Sequence, residues 1–112
     1  MGKPVAGDVV IVPFPFSDLS QSKRRPAFVL ASLDGDDLIL CMITSQSVRD
    51  RYALQLDDRD FVTGGLPVPS NIRPSRLFTS DAGIVSRVVG RISSKKLRET
   101  VDSVANLLAG SS

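Results

Sequence analysis

Short apolar blocks separated by polar, turn-forming stretches run through most of this chain, and only the last block changes period. Residues 8–16 are β-branched and aromatic and predict a strand. Pro13 and Pro15 cannot donate to a ladder, so its second half is expected at a sheet edge or outside the sheet. The polar, aperiodic stretch 17–24 predicts a loop. Residues 26–31 predict a second strand, with Pro26 at its first position. Asp34, Gly35, Asp36 and Asp37 are turn chemistry. Residues 38–44 are apolar almost throughout, which predicts a central strand buried on both faces.

Further along the signals weaken. Residues 45–51 read as a polar loop, and 52–56 alternate like a short strand. Residues 57–69 are rich in Asp, Gly and Pro and predict an irregular connection. Strand-like pieces surround Ile72 and Leu77–Phe78, and 84–92 predict a last strand. Then Leu97, Val101, Val104, Ala105 and Leu108 fall on one face of a helix. Ser93 or Ser94 suits its N-cap and Gly110 its end. Lys95 and Lys96 stand at the end that the helix dipole disfavours for cations. Five to seven short strands and one amphipathic helix predict a mainly β (α+β) fold: a small barrel with the helix laid on it. The 112 residues are expected to form one domain, 1–112.

Two absences narrow the chemistry. There is no histidine, which excludes Ser-His-Asp and Cys-His systems and histidine-pair ribonuclease chemistry. The single cysteine, Cys41, cannot build a common zinc site or a disulfide, and lies in an apolar run as a small hydrophobe. The aspartates at 34, 36 and 37 and at 57, 58 and 60 lack calcium-loop spacing, and turn chemistry accounts for them. No metal and no cofactor is therefore expected. No apolar run reaches the roughly 18 residues of a membrane span, and the first residues lack a secretory apolar stretch. The expectation is a cytoplasmic protein without membrane contact.

Net charge is only +2, yet ten of the fourteen basic residues are arginine. They gather as Arg24–Arg25, Arg49 and Arg51, Arg73 and Arg76, Arg87 and Arg91. The planar guanidinium fork suits phosphate oxygens, so the pattern points to a polyanion as readily as to a solvated surface. Lys23, Arg24, Arg25 and Pro26 open a strand, which would mount an arginine rigidly or else protect a sheet edge. Residues 41–46 end an apolar strand in Thr44, Ser45 and Gln46. These groups could hydrogen-bond a phosphate or a 2′-OH, although a strand-end threonine often bonds its own backbone.

Taken in order, Gly7-Asp8-Val9-Val10, the polar loop, residues 24–30, and Ile43-Thr44-Ser45-Gln46 resemble the MazF/PemK/Kid toxins. The likeness continues through residues 70–73, 76–79 and 89–92 into the final helix. It implies an SH3-like barrel with a C-terminal helix, working as a homodimer with RNA across the two-fold interface. It implies cleavage of single-stranded RNA at a short sequence by the toxin of a type II toxin-antitoxin pair. The partner would be a cognate acidic antitoxin, with the complex binding DNA. The family's arginine before the strand proline matches Arg25, and its strand-end threonine matches Thr44, as the catalytic pair. RNA contacts would come from Arg24, Ser45, Gln46, Arg73, Ser75 and Asp18. Some members carry a carboxylate where Ser75 stands and a histidine in the first loop, which this chain lacks.

Those residues suit RNA cleavage on their own terms. The substrate's 2′-OH is the nucleophile, so the protein needs only orientation, charge stabilisation and a proton route, and a 2′,3′-cyclic phosphate results. Arg25 stabilises charge but holds its proton too firmly to be a base. Three other readings compete. A non-catalytic nucleic-acid-binding barrel would stack bases on aromatics, which are only 5% here. A gyrase poison of the CcdB type resembles this fold but uses a C-terminal tryptophan, and this chain has none. An inactive toxin would keep the fold and the antitoxin alone.

Overall fold

A computed structural model describes residues 2–15, 22–46 and 49–110. Among the described residues, seven antiparallel strands form one sheet, and one α-helix follows. The strands are β1 (Asp8–Pro15), β2 (Ser22–Ser32), β3 (Asp37–Thr44), β4 (Leu54–Leu56), β5 (Phe61–Gly64), β6 (Ser70–Asp81) and β7 (Arg87–Ile92). Their order across the sheet is β4-β6-β3-β2-β1-β7-β5. Bulges in β2, β5, β6 and β7 bend the sheet into a half-barrel. The mainly β, barrel-and-helix class read from the sequence is the architecture observed.

β3 lies between β2 and β6, as its unbroken apolar run requires. It feeds both faces of the sheet. Cys41 and Ile43 join Val9, Phe28, Leu56, Ile72 and Ile92 in one cluster, while Leu38 and Leu40 join Val10, Val12, Ala27 and Val29 in the other. The prolines of β1 are accommodated in the way their missing N–H groups demand. β7 pairs with β1 only from Asp8 to Ile11, so Pro13 and Pro15 lie where β1 has β2 alone beside it.

Several sequence expectations need correction. β2 begins at Ser22, so Lys23, Arg24 and Arg25 are strand residues and Pro26 lies mid-strand. The ladder to β3 starts only at Ala27, which leaves Pro26 at its margin. The stretch 57–69 is not wholly irregular: Asp57 caps a short 3₁₀ turn, with Asp60 closing the capping box, and β5 follows. The pieces around residues 70–79 are one long strand, β6. Opposite β3 its register steps from Leu77↔Cys41 to Arg73↔Met42. Pro74, Ser75 and Arg76 are therefore looped out of the ladder, with Pro74 fully buried.

The helix α1 (Ser94–Leu108) starts where expected, with Ser93 Oγ accepting from the N–H of Lys96. Lys96 is held by Asp60 and Glu99, which accounts for one of the two lysines at this end. Its inward face differs from the apolar pattern. Thr100 is fully buried, its hydroxyl donating to the Lys96 carbonyl at 2.9 Å, and Leu97 packs on the core. Val101, Ala105 and Leu108 are exposed. Thr100 can point inward because bonding i−4 satisfies its hydroxyl. Among the described residues, no helix is long and apolar enough to cross a membrane.

Candidate active site and nucleic-acid interface

The ends of β2 and β3 meet at a cavity of about 330 Å³. This is at the small end of the range for ligand pockets, roughly 300–1,000 Å³. Arg25, Thr44 and Ser45 line it. Its floor is apolar: Ile11, Pro26, Ile43, Leu66 and Val89. Ser70 and Arg87 complete the polar rim. The register explains this assembly. Ile11 is paired with Pro26 on one side and Arg87 on the other, so β2, β1 and β7 set those three residues in one row. Two strand spacings separate β2 from β7, about 10 Å. Arg25, one residue before Pro26 on β2, and Arg87 of β7 both line the cavity.

The far wall, residues 65–68, depends on a close backbone approach. Gly64 and Gly90 are directly opposed across β5 and β7. A Cβ on Gly64 would lie 2.1 Å from the Val89 carbonyl oxygen, and its φ of +63° belongs to the left-handed region. A Cβ on Gly90 would meet the Phe61 ring at 2.8 Å. The two glycines let β5 lie tight on β7 and deliver Gly65 to Val68 to the cavity.

Thr44 ends β3 in a defined local geometry. Its Oγ1 accepts from the backbone N–H of Gln46 at 3.2 Å. The carbonyl of Gln46 accepts from Asn71 Nδ2 at 3.3 Å, and Asn71 is the register partner of Thr44. The local backbone bond expected of a strand-end threonine is therefore present. It engages a lone pair and leaves the hydroxyl hydrogen to donate elsewhere. The turn after β3 is fixed from both strands.

A second cluster stands on the same sheet. Asp50, in the connection to β4, accepts from the N–H of Tyr52 at 2.9 Å, from Ser75 Oγ at 3.0 Å and from Arg73 Nε at 3.3 Å. Its side chain is 9% exposed. Burial pushes this carboxyl upward, but the Tyr52 N–H, Ser75 and Arg73 outweigh burial and hold it below its ordinary 3.8. Cys41 is also buried, which pushes its thiol up to about 12 and leaves it a core hydrophobe. Among the described residues, no three His, Cys, Asp or Glu side chains are grouped to hold a metal ion.

Of the residues singled out in the sequence, Arg25, Thr44 and Ser45 are brought together at the cavity. Arg24 is exposed opposite Pro13, and Gln46 contributes its backbone to the Thr44 turn. Arg73 and Ser75 meet at Asp50 rather than on the cavity wall. Asp18 lies outside the described residues. Sequence reasoning passed over Arg87, Asn71 and Asp50. Arg87 stood in the arginine census without a place, and Asp50 was one polar residue of a loop.

The residues matched decide the family. A family model described as "PemK-like, MazF-like toxin of type II toxin-antitoxin system" matches residues 6–108. The chain belongs to this toxin family. Solved structures agree on the fold. A MazE–MazF crystal structure from Deinococcus radiodurans superposes with a TM-score of 0.77 at 20% identity, covering 97% of this chain and 98% of that one. An endoribonuclease in complex with its cognate antitoxin, from a mycobacterial species, gives 0.72 at 13% identity and 95% coverage of each. The Mycobacterium tuberculosis toxin MazF-mt6 gives 0.66 at 15% identity, covering 89% of this chain and 96% of that one. No curated protein sequence matches the chain.

Proposed function

We propose that this PemK/MazF-family toxin is an endoribonuclease that cuts single-stranded RNA at a short sequence, without a metal, and so arrests translation and growth. The observation that carries the reading is the meeting of Arg25 and Thr44, with Ser45, at one cavity. The 2′-oxygen attacks the adjacent phosphorus, the P–O5′ bond breaks, and a 2′,3′-cyclic phosphate and a 5′-hydroxyl result. Arg25 donates to the phosphate oxygens and offsets the charge that builds in the transition state. Thr44, its oxygen engaged by Gln46, donates its hydroxyl hydrogen to the phosphate. The apolar floor receives a base. The 2′ proton goes to hydroxide or to a substrate phosphate oxygen, and the leaving 5′-oxygen takes a proton from water.

The working unit in this reading is a cytoplasmic homodimer, inhibited by an acidic segment of a cognate antitoxin and binding DNA as the complex. The neighbours solved with MazE or a cognate antitoxin support the partner. The test is incubation of the pure protein with mixed-sequence RNA in EDTA. Cleavage to cyclic phosphate ends, lost in Arg25→Ala, is the result expected. Intact RNA, or cleavage that requires added Mg²⁺, would overturn the mechanism.

A further inference from the structure

We infer that Asp50 is a positioning residue that builds a second, arginine-rich phosphate-binding surface beside the Arg25–Thr44 cavity, for the RNA flanking the cleaved bond. The inference rests on RNA being the substrate. Asp50 is nearly buried in a loop whose neighbours, Arg49 and Arg51, are exposed. Its carboxylate joins two segments distant in sequence: its own loop, through the Tyr52 N–H, and β6, through Arg73 and Ser75. The β6 partners sit at the looped-out turn, where buried Pro74 turns the chain and leaves Ser75 and Arg76 outside. Arg51 is held on the loop by a 2.7 Å bond to the Tyr52 hydroxyl, with its guanidinium 4.8 Å from the ring centre. One carboxylate therefore fixes the two segments that carry Arg49, Arg51, Arg73 and Arg76, and four cations outweigh it.

The contact with Arg73 leaves that side chain available. Asp50 takes only Nε, and the same Oδ2 is shared with Ser75. Among the described residues nothing bonds Nη1 or Nη2 of Arg73, and that edge of the fork suits phosphate. The register places Arg73 opposite Met42, two residues along β3 from Thr44 and on the same face. Such diagonal neighbours have Cβ atoms about 7–8 Å apart. The arginine surface thus continues from the Thr44 end of the cavity, in reach of the next phosphates. Asp50 is nearly buried while Arg73 stays about a fifth exposed, and an ion pair of this kind adds little net stability on its own.

The test is the salt dependence of RNA binding and the kcat–KM split, measured on an oligonucleotide extended well beyond the cleaved bond. Each lost phosphate contact on a single strand lowers the slope of log K against log salt by about 0.7. Arg73→Ala and Arg76→Ala should each lower it by about that much. Asp50→Ala should lower it further and cost about tenfold in kcat/KM, mainly through KM, as the loss of binding shared by ground and transition state does. Asp50→Asn, whose amide oxygen can still accept from Ser75 and Arg73 but whose NH2 cannot accept from the Tyr52 N–H, should restore part of the slope. If wild type cuts RNA while Arg73→Ala and Arg76→Ala keep the wild-type slope, the inference is wrong and the function stands. The same holds if Asp50→Ala folds with a lowered Tm and an unchanged slope. If Asp50→Ala does not fold, the two arginine variants still decide. Wild type that neither binds nor cuts RNA overturns both readings.

Discussion

The backbone N–H of Gln46 donates to Thr44 Oγ1 at 3.2 Å, so the hydroxyl at the end of β3 is oriented before any substrate arrives. Thr44→Ser keeps that acceptor and the O–H, and should retain most single-turnover activity. Thr44→Val keeps the shape and loses both, and should cost about 10²–10³ in rate, the usual range for a lost charge-stabilising donor. Equal activity in Thr44→Val and wild type would remove Thr44 from the chemistry.

The cavity wall rests on Gly64 and Gly90. Gly64→Ala puts a Cβ 2.1 Å from the Val89 oxygen and forces a side chain into left-handed backbone. Left-handed backbone costs about 1–2 kcal/mol and overpacking about 1–3 more, so a loss of about 2 kcal/mol or more is expected in urea denaturation. An unchanged midpoint would show that β5 can move off β7 freely.

The strands around those sites were legible because β-branched runs state themselves: β1, β3 and the core of β2 follow from residues 9–12, 38–43 and 27–30. What was not legible has physical causes. β5 is four residues between Asp, Gly and Pro turn signals, and pairing with β7 decides it. The inward face of α1 turns on Thr100, a polar residue that hides its hydroxyl against its own helix. Arg25 and Thr44 could be singled out because each stands where the sequence switches between a polar and an apolar stretch. Arg87 and Asp50 could not, because their value comes from register and from a loop folded back on β6, with Asp50 and Ser75 far apart in sequence.

Acid stability reports on Asp50. Its carboxyl is held below the ordinary 3.8 in the folded chain. Unfolded aspartate titrates near 3.9, so the folded state binds fewer protons. The stabilisation is fully present above the unfolded value and is lost as pH falls through the folded one. Stability from this group should be flat from about pH 7 to 5 and decline below about 4. Asp57, lowered by its hydrogen bond from the Arg59 side chain, titrates in the same direction in any variant. The readout is therefore the difference between wild type and Asp50→Asn, which should narrow below pH 4. Parallel curves would contradict the bonding described.

Whether the RNA itself supplies the nucleophile is tested most directly by one atom of substrate. An oligonucleotide carrying the recognised sequence is made twice, once all-ribose and once with 2′-deoxy at the scissile nucleotide, and single-turnover cleavage is followed in EDTA. The all-ribose strand should be cut to a cyclic phosphate end, at a rate that Arg25→Ala lowers about 10²–10³-fold. The 2′-deoxy strand should bind with similar affinity and remain intact. Cleavage of the 2′-deoxy strand at the same bond would contradict self-attack by the 2′-OH and, with it, the proposed roles of Arg25 and Thr44.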